Sequence, residues 1–120
     1  MRMSQEEYRQ LISRQSTGKP NKYKNVKTEI DGHTFDSKAE ARRYTELKIL
    51  QQAGEITGFG LQPSFVLPGG IRYRPDFIVC GADGGIWVED VKGVSTKEFL
   101  LKKKLWEAHY PWMDLKIIKY

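Results

Sequence analysis

The sequence predicts an α/β domain in which a central mixed sheet is flanked by helices. Three observations carry this prediction. Residues 37–53 and 96–109 have the apolar spacing and the terminal residues of helices. Between them lie short apolar runs separated by Pro and Gly clusters, the pattern of strands. A final apolar run, residues 115–120, follows the second helix, so the order is helix, strands, helix, strand.

Each element has a local reason. Ser4-Gln5-Glu6-Glu7 is a capping-box pattern and predicts a short N-terminal helix to about residue 14. Residues 16–21, Ser-Thr-Gly-Lys-Pro-Asn, follow as a loop. Residues 1–21 therefore form a basic, partly helical arm, and 22–120 form one domain. Residues 26–30 and 33–35 flank Asp31-Gly32, a tight hairpin turn. The helix at 37–53 opens on Ser37-Lys38-Ala39-Glu40 and closes at Gly54. Its apolar arc is Ala41, Tyr44, Leu47 and Leu50, with Arg43 intruding. Short strands at 64–67 and 71–73 surround Pro68-Gly69-Gly70, and strands at 75–80 and 86–92 surround the turn at 81–85. Ser95-Thr96-Lys97-Glu98 caps the second helix. On that helix Leu101, Leu105 and Ala108 lie on one side, and Phe99 and Trp106 lie nearly opposite, beside Lys102 and Lys103. One of these faces covers the sheet, and the other calls for the N-terminal helix or a second subunit.

Composition excludes several classes. No apolar run approaches the roughly 18 residues of a membrane span, and residues 1–15 are too polar for a secretory signal. Cys80 is the only cysteine, which leaves no disulfide framework or Cys-based zinc site and suits a reduced, cytoplasmic compartment. The net charge of +5 hints at a polyanionic partner. Its distribution says more. Residues 1–24 carry six basic and two acidic side chains, and residues 93–120 carry six basic and three acidic ones. The stretch between, 25–92, has ten acids against eight bases. Such charge serves either as a solvated surface or as a phosphate grip around a centre with another task.

That centre contains Ile86-Trp87-Val88-Glu89-Asp90-Val91-Lys92, a strand that ends in two acids and a lysine. Alternation puts Trp87, Glu89 and Val91 on one face and Val88, Asp90 and Lys92 on the other. Asp76 opens the preceding strand, and a hairpin between the two brings it near Asp90 and Lys92 at one end of the sheet. Two carboxylates in such a place repel each other unless a cation joins them. Oxygen ligands without His or Cys suit Mg²⁺ or Mn²⁺. The alternative is an ion pair at a strand end. Glu40 falls on the apolar arc of its helix, where an acid needs a partner; it also has the capping-box position, reaching back to its own helix end.

Taken in order, Pro75-Asp76, the fourteen-residue step to Asp90-Val91-Lys92, and upstream Glu40 resemble the PD-(D/E)XK nuclease superfamily. More narrowly, residues 35–44, Leu61-Gln62-Pro63, Pro75-Asp76-Phe77 and Glu89-Asp90-Val91-Lys92-Gly93 look like a small phage and prophage family of formerly unknown function, grouped with Holliday-junction-resolvase-like nucleases. The likeness covers about residues 22–120.

The resemblance implies a restriction-endonuclease-like core of a helix, three antiparallel strands, a helix and a strand, here with an extra N-terminal helix and hairpin. It implies that Asp76 and Asp90 bind Mg²⁺ or Mn²⁺, that Lys92 assists the water or the transition state, and that Glu40 completes the metal shell or orients the lysine. Glu89 stands where the superfamily has an apolar residue, and Gln62 stands where similar enzymes sometimes place a polar one. Both are second-tier candidates. Lys38, Arg42, Arg74, Lys97, Lys102, Lys103 and Lys104 are candidate DNA contacts. The expected activity is a metal-dependent endonuclease that cuts branched DNA as a homodimer, in phage recombination or DNA processing in a bacterial or phage-infected cell. The alternatives are a sequence- or end-specific duplex nuclease and a non-catalytic DNA-binding module on the same fold.

Overall fold

A computed structural model describes residues 27–120, and the predicted N-terminal helix and basic arm lie outside the described residues. The described residues fall into two units, 27–41 and Arg42–Tyr120.

In the first unit, β1 (Thr28–Ile30) and β2 (His33–Phe35) pair antiparallel, with Thr28 opposite Phe35 and Ile30 opposite His33. Asp31 and Gly32 turn the chain with φ of 53° and 79°. Two successive positive φ values define the type I′ hairpin turn that an Asp-Gly pair accommodates. Helix α1 (Lys38–Gln52) begins here, and the Glu40 amide donates to Ser37 Oγ at 3.1 Å, one half of the expected capping box.

The second unit holds the rest of α1 and all remaining elements. These are β3 (Ile56–Leu61), β4 (Phe65–Leu67), β5 (Ile71–Tyr73), β6 (Phe77–Gly81), β7 (Ile86–Val91), α2 (Lys97–His109) and β8 (Leu115–Ile118). The main sheet has the order β3-β6-β7-β8; its first three strands are antiparallel and β8 runs parallel to β7. The chain is thus α/β with a mixed sheet and two helices among the described residues. A parallel pair needs a long crossover, and α2 supplies it.

One strand differs from expectation. The sequence pattern does not single out Ile56–Leu61, yet β3 is the first of the three antiparallel strands. The run at 64–73 instead folds as a separate hairpin, β4–β5. Gly58 and Gly60 suppress the strand signal of β3, because glycine has no side chain to pack and marks bulges. The register indeed shifts between Ile56 and Gly58. What holds β3 is tertiary: Phe59 packs edge-on between Tyr44 of α1 at 5.5 Å and Phe77 of β6 at 6.2 Å.

The two helices bury different faces. Tyr44 and Leu47 are buried on α1, as the apolar arc predicts. On α2 the buried residues are Phe99 and Trp106, while Leu101 is 57% exposed, so the aromatic face covers the sheet. They form a core with Leu67, Tyr73, Val88, Met113 and Leu115. Trp106 anchors this core: its ring packs on Phe65 at 4.7 Å, and its indole N–H donates to the Met113 carbonyl at 2.8 Å. The helix cap is Thr96, whose Oγ1 accepts from the Phe99 amide. The hydroxyl therefore acts one residue later than the Ser95 start predicts. No helix among the described residues is long and apolar enough to cross a membrane.

Candidate active site

β7 positions the site. Paired on both edges, by β6 and β8, it cannot twist away, and its side chains alternate strictly between the α1 and α2 sides of the sheet. Phe77 lies opposite Glu89 and Ile78 opposite Val88, so continuing the register places Asp76 at the level of Asp90.

On the α2 side the second unit brings together Asp76, Asp90 and Lys92. Asp90 is only 3% exposed. One of its oxygens, Oδ2, accepts a hydrogen bond from the Tyr73 hydroxyl. The other, Oδ1, lies 3.6 Å from Lys92 Nζ. Lys92 remains one-third exposed, and its ammonium also lies 4.9 Å from the Phe99 ring. Its backbone is held by β8, because the Lys92 amide donates to the Ile118 carbonyl at 3.0 Å. Asp76 sits in the bend just before β6, half-buried, and its Oδ2 accepts from the Val91 amide at 2.7 Å. A side chain from the bend before β6 thus caps the backbone of β7, fixing the end of the β6–β7 pair.

Tyr73 senses both acids. Burial pushes its phenol far above the ordinary tyrosine range, and the Asp90 hydrogen bond and the charges of Asp90 and Asp76 add to the rise.

Glu89 faces the other way, as the alternation predicts, and is 1% exposed. Arg43 of α1 clamps it with two parallel hydrogen bonds, Nε to Oε1 at 2.6 Å and Nη2 to Oε2 at 2.7 Å. The Trp87 indole donates to the same Oε2 at 2.9 Å. The hydrogen bond to Glu89 raises the guanidinium pKa above its already high value, against the opposing effect of burial. The Trp87 ring lies against Gly81, where a Cβ would stand 2.9 Å from it. Glu89 is spent on a structural ion pair, and the intrusion of Arg43 on the apolar arc has its explanation here.

The other sequence candidates are distributed as follows. Glu40, half-buried, belongs to the first unit and stands in the opening turn of α1; the cluster described above consists of second-unit residues. Gln62 has an exposed side chain and a φ of +47°, and its amide donates to the Asp76 carbonyl at 2.9 Å. Its contact with the site is through the backbone. Lys38, Arg42, Arg74, Lys97 and Lys104 are exposed, and Lys102 and Lys103 half-buried. Arg42 stacks over the Tyr120 ring at 4.2 Å and lies 3.5 Å from Glu46. Lys103 pairs with Glu107 at 2.8 Å, and Lys102 lies 6.0 Å from the Tyr73 ring.

Sequence reasoning missed Tyr73. It reads only as the end of a short strand, and nothing local marks its hydroxyl as a partner of a residue seventeen positions on.

Among the described residues, no three His, Cys, Asp or Glu side chains are grouped to hold a metal ion. The chemistry of the pair present nevertheless fits Mg²⁺ or Mn²⁺. Asp76 and Asp90 offer hard carboxylate oxygens, the donor type these ions prefer. Magnesium is typically held by one or two carboxylates, several waters and substrate phosphates, without an all-protein cage.

No curated protein matches this chain. Residues 20–120 match a family of proteins of unknown function, DUF1064, and over nearly its whole length the chain belongs to that family.

Proposed function

We propose that this protein is a divalent-metal-dependent DNA endonuclease of the PD-(D/E)XK kind, selective for branched DNA. One observation carries the proposal: Asp76, Asp90 and Lys92 meet at one end of the sheet, with Lys92 Nζ 3.6 Å from a carboxylate that is itself buried. Two acids and a partly exposed lysine at one strand end are the groups that a cation and a phosphate would need there. The strand order adds support, since three antiparallel strands followed by a helix and a parallel fourth are the core that the resemblance implies.

Asp76 and Asp90 would hold the cation. Bound there, it would polarise the phosphate and lower the pKa of its water. Lys92, partly exposed and tethered through both its backbone and Asp90, supplies a positive charge where charge grows on the phosphate. The Val91 amide holds Asp76 in place, and the Tyr73 hydroxyl holds Asp90. Arg74, Lys97 and Lys104 remain for phosphate-backbone contacts, which give affinity with little sequence information. Cutting two strands of a junction symmetrically calls for two sites, so the active form is a homodimer.

The test incubates the protein with a four-way junction, a nicked duplex and a linear duplex, in Mg²⁺ or EDTA, beside Asp76→Ala. Mg²⁺-dependent cutting of the junction, lost in the variant, is the expected result. Absence of such cutting on every substrate overturns the enzyme, and equal cutting of linear and branched DNA overturns the junction preference alone. A monomeric mass by light scattering at high micromolar concentration, with and without DNA, overturns the dimer.

A further inference from the structure

Tyr73 closes the β5 strand of a hairpin that lies outside the main sheet, yet its hydroxyl reaches the central strand. Its ring is buried edge-on to Trp106 at 6.0 Å, in a core otherwise made of Leu67, Val88, Phe99, Met113 and Leu115. Phenylalanine would fill that space equally well. A hydroxyl buried among apolar groups is costly unless bonded, and this one is bonded to a single acceptor, Asp90 Oδ2. That bond commits one of the two carboxylate oxygens. Oδ1 faces the Lys92 ammonium at 3.6 Å and is the oxygen a metal cation would share with it.

We propose that Tyr73 is a positioning residue that confines Asp90 to one available oxygen, and that this sets a preference of the site for Mg²⁺ over Ca²⁺. The inference rests on the metal-dependent function proposed above. The two ions differ in what they ask of a carboxylate. Mg²⁺ is small and nearly octahedral and keeps several waters, so one well-placed oxygen suits it. Ca²⁺ takes six to eight oxygens at longer range and readily accepts both oxygens of one carboxylate. An acid with one oxygen tied to a hydroxyl is a good partner for the first ion and a poor one for the second. Removing the hydroxyl frees both oxygens and lets the carboxylate rotate, which favours the larger, more tolerant ion.

Calorimetric titration of the DNA-free protein with Mg²⁺ and, separately, with Ca²⁺ tests this. Tyr73→Phe keeps the ring, and near-UV circular dichroism verifies the packing around Trp106. In the variant, Mg²⁺ affinity is expected to fall about tenfold or more, the usual cost of losing a group that orients a metal ligand. Ca²⁺ affinity is held or rises, so the ratio of the two falls by a similar factor. Tyr73→Met, which also lacks the hydroxyl but adapts its shape, is expected to give the same ratio and serves if the phenylalanine variant does not fold. An unchanged ratio overturns the role of Tyr73, including the case where both affinities drop together as in simple loosening. A wild-type protein that binds neither Mg²⁺ nor Mn²⁺ overturns the metal-dependent function, and the inference falls with it.

Discussion

Glu89 and Asp90 are neighbours on one strand, both acidic and both buried, and they have opposite surroundings. Glu89 meets a planar guanidinium that satisfies both its oxygens, and an indole N–H adds a third bond. Asp90 meets one hydroxyl and a lysine ammonium at 3.6 Å, with a second acid nearby. The first side is closed: every lone pair of consequence is used. The second is held more loosely, by a hydroxyl and a lysine that is still partly open to solvent. Burial alone therefore does not mark a reactive acid. What distinguishes the two is how the fold supplies the counter-charge: a largely buried, bidentate guanidinium for Glu89 and a partly exposed ammonium for Asp90.

The largest effect should come from breaking the closed side. Arg43→Ala leaves Glu89 buried without its cation and is expected to destabilise the protein by about 3 kcal/mol or more, read from urea unfolding. Asp90→Asn tests the other side. Its amide oxygen still accepts from Tyr73, so stability should change by no more than about 1 kcal/mol. Cleavage of branched DNA should nevertheless fall at least about a hundredfold, as when a group that stabilises developing charge is removed. If Asp90→Asn unfolds the protein while Arg43→Ala is harmless, the contrast is reversed and Asp90 is the structural acid.

Smaller changes sharpen the same contrast. Trp87→Phe deletes one hydrogen bond to Glu89 while Arg43 remains, and about 1 kcal/mol is the expected loss in the same unfolding assay. The smallest effect is alkaline. Tyr120, close to Arg42 and donating to Glu46 Oε1 at 2.5 Å, has its pKa pushed up to about 12 by burial and by that bond. A raised pKa in the folded state means that its contribution is complete below the unfolded value of about 10. It is lost as pH rises from there through 12. Tyr120→Phe is expected to flatten the fall in stability across that window, measured against wild type at each pH.

Much of this was legible in the chain, for reasons that stop at the same boundary. Asp31-Gly32 announces its turn because the backbone conformation is local. The two faces of β7 follow from alternation, and the short turn at 81–85 is enough to pair it with β6. The failures are all tertiary. β3 is held by aromatic rings from α1 and β6 despite its glycines, so its own residues say little. Arg43 and Glu89 are 46 positions apart, and on a helix arc Arg43 looks only like an intruder. Phe99 and Trp106 bury rather than Leu101 because the space under α2 is shaped for rings by Phe65 and Tyr73. Tyr73 carries no pattern at all, since its hydroxyl matters only once Asp90 is beside it.

The backbone bond between Lys92 and Ile118 also orders events in time. Synthesis delivers Asp76, Asp90 and Lys92 before it delivers β8, whose residues come more than twenty positions later. A nascent chain that has emerged only through Lys92 carries all three side chains but not the strand that anchors the lysine. The constellation is therefore set when the segment 115–118 leaves the ribosome and docks, and a chain interrupted before it holds the same chemistry in a loose frame.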